Sequence, residues 1–247
     1  MDTTFFSDFP AMILAAGRGE RMRPLTDTVP KPLLTIKGKS LLQYHLEGLK
    51  RNSFEHVVIN HAWLGQLIED TFGHGAEFDL QIDYSSETVA LETAGGIAQA
   101  LPLLHPQDYF LVLNGDTFMP EFPFEQIQSV VNQLRMDSLQ DKPVIQAYLF
   151  LVPNPSHHPL GDFYLFDSYV SSEKPISSTS QGESKYTFSG AGIYHKNLYK
   201  DISPGTKYAL APLLKVAMLK RLVKGEILSC SWHDVGTPDR LLALNQK

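Results

Sequence analysis

A single cysteine, Cys230, in a chain of 247 residues leaves no partner for an internal disulfide. That excludes the stapled scaffolds of small secreted proteins and fits a reducing compartment. Long apolar runs are missing too: no stretch approaches the ~20 residues that span a bilayer. The first residues, MDTTFFSDFP, lack the basic start and apolar stretch of a signal peptide, so a cytoplasmic location without membrane attachment is expected. Positive charge is in deficit, 21 Lys and Arg against 27 Asp and Glu, for a formal net charge of −6. General nucleic-acid binding is therefore not expected. No repeat, low-complexity tract or Ser-His-Asp or Cys-His nucleophile pattern is visible, and nothing points to an obligate protein partner. Any anion site must be a local concentration of positive charge.

What is present is a regular alternation. AMILAA, HVVIN, LQIDYS and YFLVLNGD read as buried strands. Between and after them, SLLQYHLEGLKRN, LGQLIEDTF, ETAGGIAQAL and FEQIQSVVNQLR read as helices, the first with Ser40 as N-cap. Beyond about residue 142 the rhythm changes. VIQAYLFLVPNP, GDFYLFDSYV and KYTFSGAGIYH read as strands without intervening helices, and a strong helix follows in ALAPLLKVAMLKRL, with an apolar face of Leu210, Leu213, Leu214, Ala217 and Leu222. The polar 171–184 stretch reads as a surface loop. The expected fold is α/β: a Rossmann-like three-layer sandwich with a mixed, mainly parallel sheet, in one domain spanning 1–247. Ligands of such sheets sit beyond the carboxyl ends of the strands.

One loop there stands out. AMILAAGRGERMRPLTDTVPKPL sets Gly17, Gly19, three arginines and Lys31 directly after an apolar strand. Gly17 and Gly19 let backbone approach a ligand, Arg18, Arg21 and Arg23 add charge, and Pro30 and Pro32 stiffen the chain around Lys31, which suits a phosphate. Two familiar phosphate motifs fail: the third glycine of a dinucleotide fingerprint would fall on Met22, and Gly-Lys-Ser/Thr is absent.

The string LAAGRGERMRPLT followed by PKPL resembles the signature of the sugar-1-phosphate nucleotidylyltransferases. The likeness runs along essentially the whole chain. INHAWLG, LETAGGI, VLNGD, NPSHHPLGDF, TFSG, LAPLL and WHDVGT, in that order, are similar to the branch that acts on N-acetylmuramate α-1-phosphate in peptidoglycan recycling. The resemblance implies a nucleotide-diphospho-sugar transferase fold, with a nucleotide-binding half at about 10–142 and a sugar-binding half at about 143–247. It implies UTP and a sugar 1-phosphate as small-molecule substrates, pyrophosphate as a product and Mg²⁺ as cofactor. It places Arg21 at the β and γ phosphates and Lys31 near the reacting α phosphate. The backbone of Leu14, Ala15, Ala16, Gly17 and Gly19 would lie along the nucleotide, with Thr93 and Gly95 beside the base.

Asp116 ends the VLNGD strand, and Asp234 stands in WHDVGTPDR more than a hundred residues later. Mg²⁺ takes one or two carboxylates with phosphates and water, so two acids from distant loops suit it. By resemblance these positions hold the metal. Residue by residue, NGD is also turn chemistry. Asp234 could cap the following helix, although Thr237 before Pro238 is the better cap.

For the sugar, Asn114, Gly161, Asp162, Ser189, Gly190 and His158 are the candidates. Gly190 and Gly192 in FSGAGIY mark either a close ligand approach or a bulge. His158, in SHHP, or a backbone N–H near it is expected at the acidic lactyl ether of a muramyl sugar; a zinc site there lacks further ligands. Lys207 is open between a substrate phosphate and solvent. Alternative substrates are glucose 1-phosphate with dTTP or UTP and mannose 1-phosphate with GTP. A non-catalytic nucleotide-sugar-binding regulator and a glycosyltransferase are alternatives of other classes; the latter would lack the GERMRPLT and PKP string.

Overall fold

The computed structural model describes residues 6–140, 142–174 and 184–246. Most of the polar loop read at 171–184, namely 175–183, lies outside the described residues. The strands are β1 (Ala11–Leu14), β2 (Thr35–Ile36), β3 (Lys39–Ser40), β4 (His56–His61), β5 (Gln81–Ser86), β6 (Tyr109–Asn114), β7 (Thr117–Phe118), β8 (Ala147–Val152), β9 (Tyr164–Phe166), β10 (Tyr169–Ser171), β11 (Thr187–His195), β12 (Val223–Ile227) and β13 (His233–Asp234). The helices are α1 (Leu41–Arg51), α2 (Gly65–Phe72), α3 (Glu92–Leu104), α4 (Phe124–Leu139), α5 (Leu210–Leu219) and α6 (Pro238–Gln246).

Nine strands form one sheet in the order β5-β4-β1-β6-β11-β8-β12-β10-β9. Only β11 and β10 run against the rest, so the sheet is mixed and mainly parallel. The central strands are buried on both faces, which is why AMIL and YFLVL read as unbroken apolar runs. One face is covered by α1, α2 and α4, the other by α3 and α5. Leu42, Leu46 and Leu49 recur along α1 and are fully buried. Each side chain of this kind contributes about 2 kcal/mol by leaving water. The Ser40 hydroxyl accepts from the Gln43 amide at 3.1 Å and starts the helix. Gly48 lets α1 close on α4: a Cβ there would sit 2.9 Å from the Phe124 ring.

Two readings of the second half need correction. GDFYLFDSYV is not one strand but the β9–β10 hairpin, turned at Asp167 and Ser168, both at positive φ. α5 stops at Leu219, and Arg221 at φ 56 turns the chain, so Leu222 packs from beyond the helix. A third, smaller core matters most for the site. Met22 of the opening loop, with Leu34 and Ile36 just after it, packs with Val235, Leu241 and Leu244 near the C-terminus. Asn245 adds two bonds, accepting from Lys37 N at 2.8 Å and donating to Thr35 O at 3.0 Å. The last helix thus clasps the loop that follows the first strand.

Candidate functional site

The parallel strands β1, β4, β5 and β6 all end at one edge, and a cleft of about 210 Å³ opens there. Leu14, Ala15, Ala16 and Gly17 form one wall, and Thr93 at the start of α3 forms the other. Lys31, Asn114 and Asp116 close its far end. A second cleft of about 330 Å³ begins at the same Asn114 and Asp116 and continues past Asp162, Ser189 and Gly190 to His157, His158, Asp234 and Arg240. The two clefts therefore meet at the turn that ends β6.

Lys31 is buried despite its charge, only 7% exposed. Its stem fills the space behind Gly19, where a Cβ would stand 3.2 Å from Lys31 Cβ. Its Nζ reaches Asp116 Oδ2 at 2.5 Å. Gly19 itself, at φ 68, starts the turn Glu20–Met22 and stands behind the cleft instead of lining it. Of the three loop arginines, Arg18 is structural. It donates to Thr26 O at 2.7 Å and Asp27 Oδ1 at 3.1 Å and stacks 4.0 Å from the centre of the Trp63 ring. Arg23 pairs with Asp27 at 2.8 Å. Arg21 has no ion pair among the described residues and borders the second cleft, not the first.

Asp116 and Asp234 come together through a two-stranded ladder. Thr117 of β7 lies opposite Asp234 of β13, and Val235 N donates to Asp116 O at 3.2 Å. Asp234 Oδ2 accepts from Arg240 Nη1 at 2.6 Å and lies 3.6 Å from His157 Nε2. Asp234 does not cap α6; that helix starts at Pro238, with Thr237 Oγ1 at 3.5 Å from Arg240 N. The Oδ1 atom of each aspartate accepts no hydrogen bond among the described residues. Two hard oxygen donors thus face one cleft, a donor set that fits Mg²⁺.

Several small or polar candidates also have close partners within the protein. Gly95 does not line the first cleft: a Cβ there would fall 2.2 Å from Thr206 O, so its size lets α3 meet the 206–208 chain. Gly161, at φ +60, is pressed against the Asn154 side chain: a Cβ there would stand 2.5 Å from Asn154 Oδ1. Gly190, at φ +85, faces Asn114 and belongs to a register break in β11 between Phe188 and Gly192, and Tyr194 fills the space over Gly192. The Ser189 hydroxyl is buried and accepts from Ala191 N at 3.1 Å. Asp162 accepts from Phe188 N at 2.8 Å and lies 3.0 Å from His158 Nε2. Lys207 stands 3.5 Å from Glu92 on the surface.

Residues the sequence reading passed over include Asn60 and Glu87 in the first cleft and His157 and Arg240 in the second. Asn60 near the end of HVVINH and Glu87 one residue past YSS both lie at strand ends facing the cleft, a positional signal that was available.

Beneath the β6 turn, His45 of α1 is buried, and burial pushes its imidazole down to about 4. Backbone groups of Thr117 and Asn114 and the charge of Asp116 pull the other way. The folded protein thus keeps His45 neutral where the unfolded chain would protonate it. The stability this holds is complete above about pH 6.5 and is lost as pH falls from there towards 4, by about 3 kcal/mol at most. A His45→Leu variant is expected to lose less stability than the parent between pH 7 and 4.5, as read from urea unfolding at each pH. Equal pH slopes for the two proteins would refute this.

A family model described as nucleotidyl transferase matches residues 10–247. An N-acetylmuramate α-1-phosphate uridylyltransferase of Neisseria meningitidis serogroup B is 48% identical over 232 residues, covering 94% of each chain. Its counterpart from Caulobacter vibrioides is 32% identical over 240 residues, again covering 94% of each. Among solved structures, a candidate glucose-1-phosphate thymidylyltransferase from Bacillus anthracis, crystallised with sucrose, superposes with a TM-score of 0.75 at 20% identity, covering 96% of this chain and 94% of the other. At that identity the likeness speaks for the fold.

Proposed function

The chain belongs to the nucleotidyl transferase family, and from that premise we propose that it converts UTP and N-acetylmuramate α-1-phosphate to UDP-N-acetylmuramate and pyrophosphate. It is a sugar-1-phosphate nucleotidyltransferase. The observation that carries the reading is the meeting of two clefts at Asn114 and Asp116, with Lys31 at the junction. The first cleft takes the nucleotide against the backbone of Leu14 to Gly17. The second takes the sugar 1-phosphate. The chain works in the cytoplasm, in peptidoglycan recycling.

In the reaction an oxygen of the sugar phosphate forms a bond to the α phosphorus of UTP. The bond from that phosphorus to the bridging oxygen breaks, and pyrophosphate departs with the electron pair. The obstacle is the repulsion of two polyanions. Lys31, held beside Asp116 at the junction, supplies a fixed cation where charge builds up. Arg21 and Arg240 add positive charge on the sugar side. Asp116 and Asp234 would hold Mg²⁺, which when bound neutralises and orients phosphate oxygens. No general base is needed, because a phosphate monoester has a second pKa of about 6 and is mostly dianionic at neutral pH.

His158 is proposed to meet the lactyl carboxylate, its ring oriented by Asp162. A single charge-assisted hydrogen bond is worth about 1.5 kcal/mol. His158→Ala should therefore lower the preference for N-acetylmuramate 1-phosphate over N-acetylglucosamine 1-phosphate about tenfold, measured as the ratio of kcat/KM values. An unchanged ratio would remove His158 from that role. The reading as a whole is tested by a panel of UTP, dTTP and GTP against muramyl, glucosaminyl, glucosyl and mannosyl 1-phosphates, with and without Mg²⁺. Pyrophosphate release fastest with UTP and the muramyl substrate supports it. A different best pair corrects the substrate, and nucleotide binding without pyrophosphate release points to a regulator.

A further inference from the structure

Glu87 is a carboxylate with 4% exposure that borders the first cleft, yet it has no cationic partner among the described residues. A buried carboxylate beside a site for a polyanion is costly unless its hydrogen bonds require it. They do. Oε1 accepts from Asn60 Nδ2 at 2.6 Å, and Oε2 accepts from Leu91 N at 2.8 Å. Asn60 in turn uses Oδ1 to accept from Ala15 N at 2.9 Å. Because Ala15 N can only donate, the Asn60 amide orientation is fixed, and Nδ2 must face Glu87. Two donors therefore converge on Glu87, and a carboxylate satisfies both. A glutamine at this position would set an NH₂ group against one of them.

The relay crosses three adjacent strand ends. Asn60 lies beside Leu14 in the parallel register, and Glu87 follows Ser86, the partner of His61. From Ala15 the relay reaches the loop that forms one wall of the cleft. From Leu91 it reaches the start of α3, whose Thr93 forms the opposite wall. Gly96 on α3 seals it, since a Cβ there would stand 2.6 Å from Glu87 Oε1 and 2.7 Å from Asn60 Nδ2.

We propose that Glu87 is a positioning residue for the nucleotide: through Asn60 it fixes the Ala15 backbone and through Leu91 the start of α3, setting the two walls between which the nucleoside binds. The inference rests on the reading of this cleft as the nucleotide's. Its effect falls on one substrate, because the relay touches nothing in the second cleft.

Glu87→Gln breaks one bond, and Asn60→Asp sets two carboxylates against each other. Together they restore every bond. The carboxylate introduced at position 60 accepts from Ala15 N and from the amide introduced at position 87, and the oxygen of that amide accepts from Leu91 N. Steady-state kinetics on the intact enzyme should show each single variant raising KM for UTP about tenfold or more, with KM for the sugar phosphate and kcat within twofold. The Asn60→Asp, Glu87→Gln double variant should recover KM for UTP to within about threefold of the parent. Unchanged KM for UTP in the folded single variants overturns the proposal, as do equal losses for both substrates or a double variant worse than either single one. If a single variant does not fold, failure of the folded double variant to restore KM for UTP overturns it as well. Absence of any uridylyl transfer by the parent enzyme would instead refute the reading of the cleft.

Discussion

Lys31→Met is expected to lower turnover about 10³-fold while the protein stays folded. Methionine keeps the unbranched stem that packs behind Gly19 and removes only the ammonium group. The expected loss follows from the obstacle the reaction faces. A preorganised charge aimed at a developing anion in a water-poor site is worth about 2.7–4 kcal/mol, equivalent to 10²–10³ in rate. Lys31 has the preorganisation: it is buried, flanked by Pro30 and Pro32, and held at the end of an ion pair. The cost in stability is small because the partner left behind, Asp116, is 37% exposed and can be hydrated. Turnover at saturating substrates, set beside the thermal midpoint, checks the expectation. Turnover within tenfold of the parent would show that the phosphates are neutralised by other groups.

Lys31 also shows how far a sequence can be read. Its chemistry was legible in PKP, but its burial was not. The opening loop is covered by Val235, Leu241 and Leu244, which arrive two hundred residues later, and no local pattern reports that docking. The sheet and its helices were legible because strand and helix periods are local. The opposed direction of β11 was not, since it follows from pairing with β6 and β8. Small residues were the most ambiguous. Gly17 lines the cleft with open space around its α carbon, whereas Gly95 and Gly161 make room for backbone and an asparagine side chain. A glycine in a sequence reports that something comes close, not whether the neighbour is a ligand or the chain itself. Glu87 and Asn60 were passed over for a related reason: their meaning lies in a pairing across adjacent strands 27 positions apart.

Asp116→Asn is expected to be the second severe change, and its pattern differs from that of Lys31→Met. The amide removes one of the two carboxylates proposed to hold Mg²⁺, so the Mg²⁺ concentration for half-maximal activity should rise at least about tenfold and turnover should fall about 10²-fold. Stability should also fall, because the cation now left alone is the buried member of the pair, 8% exposed at its side chain. Breaking a fully buried pair costs about 3–5 kcal/mol. With Nζ bordering a cleft, about 2 kcal/mol is expected, a drop of roughly 4–8 °C in Tm for a chain of this size. The asymmetry gives a sharper test than either single variant. Adding Lys31→Met to Asp116→Asn removes the stranded cation and should recover most of the lost Tm, while activity stays at its floor. If the double variant were no more stable than Asp116→Asn alone, the Lys31–Asp116 pair would not be the contact that burial makes costly to break. If Asp116→Asn kept the parent's Mg²⁺ titration, the two-aspartate site would be wrong even with its geometry intact.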